Sequence, residues 1–260
     1  MKDRYKLHLF YSGKENAPNY LSVQEFSDET LSTSELAIIT LPMDFPEGTG
    51  KKYRKEVEDK WIKILPNLTN VKSLSVRHRV NQEYFEAICN MKNLENLHLW
   101  TSVAEDISSI GKLQKLKRLE LERFSKLKDI SPILTLENLQ LLSIENSFNI
   151  ENYELIGQMT QLKGLCLGGD TFAPKNLRLK SLKPFHNLKK LQHLDLTSAS
   201  VADKSYDTIL ELENLERFDI HANIPKPIRE LIKNNHKKLK AGMFVDWDYE
   251  NKKIYDGKEW

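Results

Sequence analysis

The amino-acid sequence predicts an α/β repeat array: a solenoid with a parallel concave sheet, a helical or irregular convex side, and a cap at each end. Three observations lead there. In the stretch LKDISPILTLENLQLLSIENS, the apolar residues Ile130, Ile133, Leu136, Leu139, Leu142 and Ile144 step by threes and then by two. That period suits neither a sustained helix nor a simple strand, and it marks a turn-like or short helical piece feeding a short strand. The pattern then recurs as LTNVKSLSV, MKNLENLHL, LQKLKRLEL, LENLQLLSI, MTQLKGLCL, LKKLQHLDL and LENLERFDI. The pivots Leu74, Leu97, Leu119, Leu142, Leu165, Leu194 and Phe218 are separated by 23, 22, 23, 23, 29 and 24 residues, the regular interval of stacked repeats. Finally, each unit closes on apolar-x-apolar, the alternation of a strand with one buried face.

The array is assigned to residues 65–244, with seven clear units and a degenerate eighth, HKKLKAGMF, pivoting on Gly242. Residues 1–64 lack the repeat and form an N-terminal cap, since the first coil of an array otherwise exposes its core. Within it YKLHLFY and ELAIITLP read as strands, and KKYRKEVEDKWIKILPN reads as a helix burying Tyr53, Val57, Trp61 and Ile64. Residues 245–260, VDWDYENKKIYDGKEW, alternate on both sides of ENKK and read as a C-terminal hairpin cap, with Trp247, Tyr249, Ile254, Tyr255 and Trp260 available to close the core. On the convex side, RVNQEYFEAICN and VADKSYDTILEL look helical, whereas EDISSIG and KDISPI look short and turn-rich. The 29-residue interval carries an insert from Gly168 to Asn187 with Gly169, Pro174 and Pro184, which predicts a loop rather than another strand and a candidate contact for a partner.

These residues carry a family resemblance. The apolar-x-x-apolar-x-x-apolar-x-apolar unit looks like the leucine-rich repeat, and DISPILTLENLQLL resembles the short repeat of bacterial internalin-type proteins. The family usually places Asn three residues after the last strand leucine. Here those positions are Arg79, Ser102, Phe124, Ser147, Asp170, Ala199 and Asn223, so only the last keeps it. Irregular turns are therefore expected, with backbone groups satisfied by water or other side chains.

Composition sets bounds. Hydrophobic residues make up 40% and charged residues 29% of the chain, ordinary for a protein with a well-solvated surface, and the net charge of +2 is too small for a nucleic-acid or membrane field. No stretch reaches the ~20 apolar residues of a membrane span, and the start lacks the apolar run of a secretory signal. Two cysteines give no disulfide framework and fit a reducing, cytoplasmic setting. Cys89 is expected inside a helix, and Cys166, between two strand leucines, at the surface.

Strand alternation sorts the outward residues into three rows. The first is Ser75, His98, Glu120, Ser143, Cys166, Asp195 and Asp219. Two residues on run Arg77, Trp100, Glu122, Glu145, Gly168, Thr197 and His221, and two residues back run Ser73, Asn96, Arg118, Leu141, Gly164, His193 and Arg217. Acids dominate the first two rows, with Arg118 and Arg123 placed to pair with Glu120 and Glu122. Trp100 is the kind of aromatic that anchors interfaces. The candidate partner-binding residues are therefore Arg77, His98, Trp100, Glu120, Glu122, Glu145, Asp195 and Asp219.

No phosphate loop, dinucleotide fingerprint, zinc spacing or nucleophile elbow is present. His78, His98, His193 and His221 approach the strand face but belong to different coils, so no metal site, cofactor or catalytic residue is expected. The expected function is a non-enzymatic scaffold, monomeric when free, that binds a protein partner on its concave face and engages neither nucleic acid nor membrane. In its sharper form it is a bacterial, cytoplasmic, immunity-like protein whose acidic face occludes a basic toxin or nuclease. The alternative is an adaptor or regulatory subunit of an intracellular enzyme. A hydrolase, the third possibility, requires a pocket of convergent titratable groups.

Overall fold

The computed structural model describes residues 20–170, 175–220, 224–248 and 253–254, with Pro42, 247–248 and 253–254 described by backbone alone. The strand expected at YKLHLFY, together with His221, Asn223, Tyr249, Tyr255 and Trp260, lies outside the described residues. The chain divides into two compact units, Met1–Tyr153 and Glu154–Trp260.

In the first unit six strands run parallel in chain order: β1 (Leu21–Val23), β2 (Glu35–Ile38), β3 (Ser73–Val80), β4 (Asn96–Ser102), β5 (Arg118–Glu122) and β6 (Leu141–Glu145). Leu36, Leu74, Leu97, Leu119 and Leu142 stand opposite one another strand by strand. All five are fully buried or nearly so, and each contributes on the order of 1.5–3 kcal/mol of apolar transfer energy. The predicted pivots are thus one continuous leucine row, and the ELAIITLP strand joins it as β2.

Between strands, the connections vary in kind as the sequence suggests. Helix α1 (Lys51–Ile64) precedes β3, and α2 (Gln82–Cys89) links β3 to β4. Asn81 starts α2 by accepting the Tyr84 N–H on its side chain at 2.9 Å, which satisfies one of the free donors of a helix N-terminus. The EDISSIG and KDISPI segments form single 3-10 turns, Ser108–Lys112 and Ser131–Thr135. Helix α1 buries Val57 and Trp61, and the Trp61 indole N–H donates to the Gln24 carbonyl at 2.8 Å. Tyr53, expected to be buried, is instead 42% exposed, its hydroxyl turned to the Glu25 carboxylate.

The missing family asparagine is replaced in two ways. Ser102 and Ser147 stand where it would be: the Ser102 hydroxyl donates to the Val80 carbonyl at 3.1 Å, and the Ser147 hydroxyl accepts the Phe124 N–H at 3.0 Å. A second ladder precedes the strands. Asn93 donates to the Thr69 carbonyl of the previous coil at 2.8 Å, and Asn138 donates to that of Gln114 at 2.9 Å. Where Lys115 takes this place, its ammonium reaches the Asn93 side-chain oxygen at 2.7 Å.

The second unit carries the parallel strands β7 (Gly164–Gly168), β9 (His193–Leu196) and β11 (Arg217–Ile220), with Leu165, Leu194 and Phe218 in register. The insert is not simply a loop: β8 (Leu177–Leu179) pairs in parallel with β10 (Ala199–Val201), so alternating Leu-Arg-Leu wins over the flanking proline and glycines. The helix expected at VADKSYDTILEL shrinks to α3 (Thr208–Glu211), because Val201 is spent on β10. Helix α4 (Lys226–Asn235) follows β11.

The degenerate eighth unit reduces to one parallel bridge, Arg217 with Ala241, before α5 (Met243–Asp246). Gly242 is required there: its φ is +99°, and a Cβ would lie 2.4 Å from the Phe218 carbonyl oxygen. The turn delivers Phe244 onto Phe218, ring centroids 5.3 Å apart. The backbone of β12 (Trp247–Asp248) pairs antiparallel with β13 (Lys253–Ile254), as a hairpin requires.

Both cysteines are buried. Cys89 matches expectation, and burial pushes its thiol up to about 12. Cys166 does not. It is 4% exposed, because every residue of β7 is buried and the short thiol lies opposite the longer Asp195 on the neighbouring strand. His78 also departs from expectation. It turns inward, 7% exposed, edge-on to Tyr84 with ring centroids 4.5 Å apart, and neither ring nitrogen has a hydrogen-bond partner.

Burial lowers the His78 pKa to about 4 from 6.5. Because the folded value is depressed, the unfolded chain takes up its proton first as the pH falls. Stability is therefore full above about 6.5, declines towards pH 4 and levels off below, a loss of roughly 3 kcal/mol. Urea titrations at pH 7 and 4.5 should show this decline in the native chain and a smaller one in His78→Phe.

Candidate partner-binding surface

On the first unit, the alternation of β3–β6 sets the outward rows as the sequence predicts. His98, Trp100, Glu120, Glu122 and Glu145 are half-buried, and Arg77 is exposed. Short side chains brace the row beneath them: Asn96 donates to the Ser73 hydroxyl at 2.9 Å, and Ser75 Oγ lies 3.3 Å from His98 Nδ1. Burial lowers the His98 pKa, with Glu120 opposing and Arg118 and Arg77 adding to the shift.

The acids here do not form a bare negative field. The Arg118 Nε sits 2.6 Å from Glu120, and the Arg123 Nε sits 3.6 Å from Glu122. Ser143 donates to Glu145 at 3.1 Å. Arg123 also lies over the Trp100 ring at 5.9 Å, within range of a cation–π contact, in a left-handed backbone conformation with φ of 55°. Trp100 is thus held by a guanidinium that is itself paired to an acid.

Sequence reasoning missed two residues of this surface. Tyr20, just ahead of β1, is mostly buried, and its hydroxyl feels Arg118, Glu120, Glu35 and Arg77; burial, more than these charges, pushes its pKa up to about 12. Nothing in the repeat pattern points to it. Arg79 joins Arg77 on the outward side by the regular alternation of β3, and a bulge between Val76, opposite Leu99, and Arg79, opposite Thr101, sets its place against β4. Alternation of Arg77, His78 and Arg79 is the one sequence signal that could have found it.

On the second unit the outward residues form a compact polar cluster. Arg217 meets Asp219 through Nε at 2.6 Å and a second nitrogen at 3.1 Å, a two-point clamp. The Met243 N–H donates to Asp219 Oδ1 at 2.8 Å, and His193 Nε2 lies 3.4 Å from Oδ2. Burial would raise the Asp219 pKa, but the adjacent His193 ring, Arg217 and the Met243 N–H outweigh it and hold the carboxyl at about 2. Asp195 behaves oppositely: burial and the nearby Asp219 charge raise it, only partly offset by Thr197, whose N–H donates at 2.8 Å.

One ligand atom each from His193, Asp195 and Asp219 falls within 4.8 Å of the others, close enough to share a cation. Both Asp219 oxygens are already engaged, however, and the Arg217 charge opposes a second positive ion at the same carboxylate. The cluster is an ion-pair network. A shallow cleft beside α2, lined by Gln82, Glu86, Val103, Glu105, Asp106 and Lys126, offers no nucleophile, and its Glu105 is paired to Lys126 at 2.5 Å. Among the described residues no helix is long and apolar enough to cross a membrane.

Parallel strands in a leucine register, separated by short helical or 3-10 connections and presenting rows of mixed polar side chains, define a repeat protein of the surface-presenting class. The sequence comparisons make this specific. A model of the leucine-rich repeat region matches residues 44–236, and the chain belongs to the leucine-rich repeat family. Its fold is similar to an internalin (inlF) from Listeria monocytogenes, with a TM-score of 0.51 and 19% identity over 68% of this chain and 48% of that one. It is also similar to an internalin C2 (inlC2) from the same species, with a TM-score of 0.50 and 18% identity over 70% of this chain and 80% of that one. The internalin-like expectation holds at the level of fold. A curated relative, the "Putative adenylate cyclase regulatory protein" of Trypanosoma equiperdum, is 28% identical over 154 residues, 51% of this chain and 24% of its own length. The chain thus spans about a quarter of that relative and about half of the first internalin.

Removing the clamp tests the network. Arg217→Met leaves Asp219 buried with its principal cation gone, and breaking a buried pair this way costs about 3–5 kcal/mol. Chemical denaturation at pH 7 should show a loss of that order, and an unchanged midpoint would mean that the pair contributes nothing.

Proposed function

We propose that the protein is a non-enzymatic scaffold, monomeric when free, that holds a protein partner against its outward strand residues, with 1–64 and 245–260 serving as end caps. The contact residues are Arg77, His98, Trp100, Glu120, Glu122 and Glu145 on the first unit and Asp195 on the second, whereas Asp219, expected among them, is 4% exposed and committed to Arg217 and the Met243 N–H, and so supports the surface from beneath. The observation that carries this reading is the side-by-side fixing of Trp100 on β4, Glu122 at the end of β5 and Arg123 in the turn just after it: a large aromatic kept half-exposed and oriented by a paired guanidinium. Pre-ordered aromatic and arginine side chains lose little entropy on binding and dominate interface energies. Leucine-rich repeat proteins generally mediate protein–protein interaction, and no nucleic-acid or membrane partner is invoked for a chain of net charge +2.

Two finer readings remain within this class. One is a bacterial, cytoplasmic, immunity-like protein that covers a basic toxin or nuclease through its acids. The other is an adaptor or regulatory subunit of an intracellular enzyme, and the regulatory name of the trypanosome relative favours it. So does the pairing of Glu120 and Glu122 with arginines, which weakens an acidic field in the first unit.

Trp100→Ala tests the scaffold. A partner captured from native cells and then purified should bind the variant at least about ten-fold more weakly, about 1.4 kcal/mol, while circular dichroism shows the fold retained. Equal affinity for the two proteins removes Trp100 and its row from the interface.

A further inference from the structure

Resting on that scaffold reading, we propose that Arg77 and Arg79 form a docking site for an acidic, extended peptide segment of the partner, with Trp100 receiving an apolar residue beside the acids. Both arginines are exposed, and the His78 between them is turned into the core. The guanidiniums therefore emerge on the same side of β3, above a bulge that places Arg79 opposite Thr101 and next to Trp100 on β4. Elsewhere on the outward rows the arginines are committed, Arg118 to Glu120, Arg123 to Glu122 and Arg217 to Asp219. Among the described residues Arg77 and Arg79 form no ion pair, so their charge is available to a ligand.

Spacing selects the ligand's form. Alternate residues on a strand project about 6.6–7 Å apart, and an extended peptide presents its own alternate side chains at the same interval. A segment of the type acid-x-acid lying along β3 therefore sets one carboxylate against each guanidinium, in the planar two-point geometry that arginine favours. The neighbouring strand lies about 4.8 Å away, which brings the Trp100 ring within reach of an adjacent apolar side chain. A polyphosphate backbone fits less well: the neighbouring arginines are taken by acids, Arg118 by Glu120 and Arg123 by Glu122, so a continuous line of phosphates gains little beyond the two guanidiniums that two localised carboxylates already satisfy.

The test uses the full chain and three fluorescein-labelled probes at about 150 mM salt, where weak surface attraction is screened. They are a decapeptide with a central Asp-x-Asp-Leu, the same peptide with lysines for aspartates, and a single-stranded RNA. Fluorescence anisotropy should show binding of the acidic peptide alone, weakened at least about ten-fold in Arg77→Gln/Arg79→Gln and abolished in Arg77→Glu/Arg79→Glu. Arg77→Lys/Arg79→Lys should recover only part of the affinity, because an ammonium keeps the charge but not the fork. Unchanged acidic-peptide binding in the double variants, no binding of that peptide at all, or preference for the lysine peptide or the RNA overturns the proposal. Should the native partner still depend on Trp100 while the acidic peptide fails, this site falls and the scaffold reading stands. Loss of both removes both.

Discussion

A single coil of this protein cannot hide its own leucines, so everything depends on registering each coil against the next through parallel strand pairing. Leu36, Leu74, Leu97, Leu119 and Leu142 in the first unit, and Leu165, Leu194 and Phe218 in the second, occupy equivalent places and bury one another. Side chains that join the backbone of one coil to the next reinforce that register. Asn93, Asn138 and Asn214 each donate to a carbonyl of the preceding coil, and Ser102 and Ser147 do comparable work after the strands. Such bonds satisfy backbone groups that would otherwise be buried without partners. The outward rows are a by-product of this stacking, since fixing one face of a strand fixes the other.

The seven repeat strands were legible because their leucines recur at a nearly constant interval, a signal that survives changes in the connecting segments. The extension of the parallel arrangement to β2 was not. Leu36 precedes Leu74 by 38 residues with a whole helix between, so periodicity carries no trace of it. β8 and β10 were hidden for another reason: three-residue strands give too little alternation to outweigh nearby proline and glycine. The serines at the family's asparagine positions satisfy backbone groups as expected, whereas the asparagine ladder that precedes the strands leaves no mark in the repeat pattern, because Lys115 interrupts it between Asn93 and Asn138.

The candidate surface was legible in its rows and less so in its charges. Alternation alone places Trp100, Glu120 and Glu122 outward, and spacing suggests their pairing with Arg118 and Arg123, as found. What spacing leaves open is how far each acid is neutralised and which side a residue takes at an irregular strand. Burial against Tyr84 decides it for His78, and the β3 bulge then sets which β4 residue Arg79 faces. Likewise, Asp195 and Asp219 look equivalent in sequence, yet the Arg217 clamp and the Met243 N–H lower one while burial and its neighbour's charge raise the other. The surface that results is a set of locally balanced charges around an aromatic, better suited to selecting a partner by geometry than by bulk attraction.

The most direct check of that surface is hydroxyl-radical footprinting of the chain alone and with its captured partner. Trp100, half-exposed among the outward residues, should lose most of its reactivity in the complex, while Met43, 82% exposed between β2 and α1, should react equally in both. Protection of Met43 with Trp100 still fully reactive would place the partner on another part of the molecule and contradict the account.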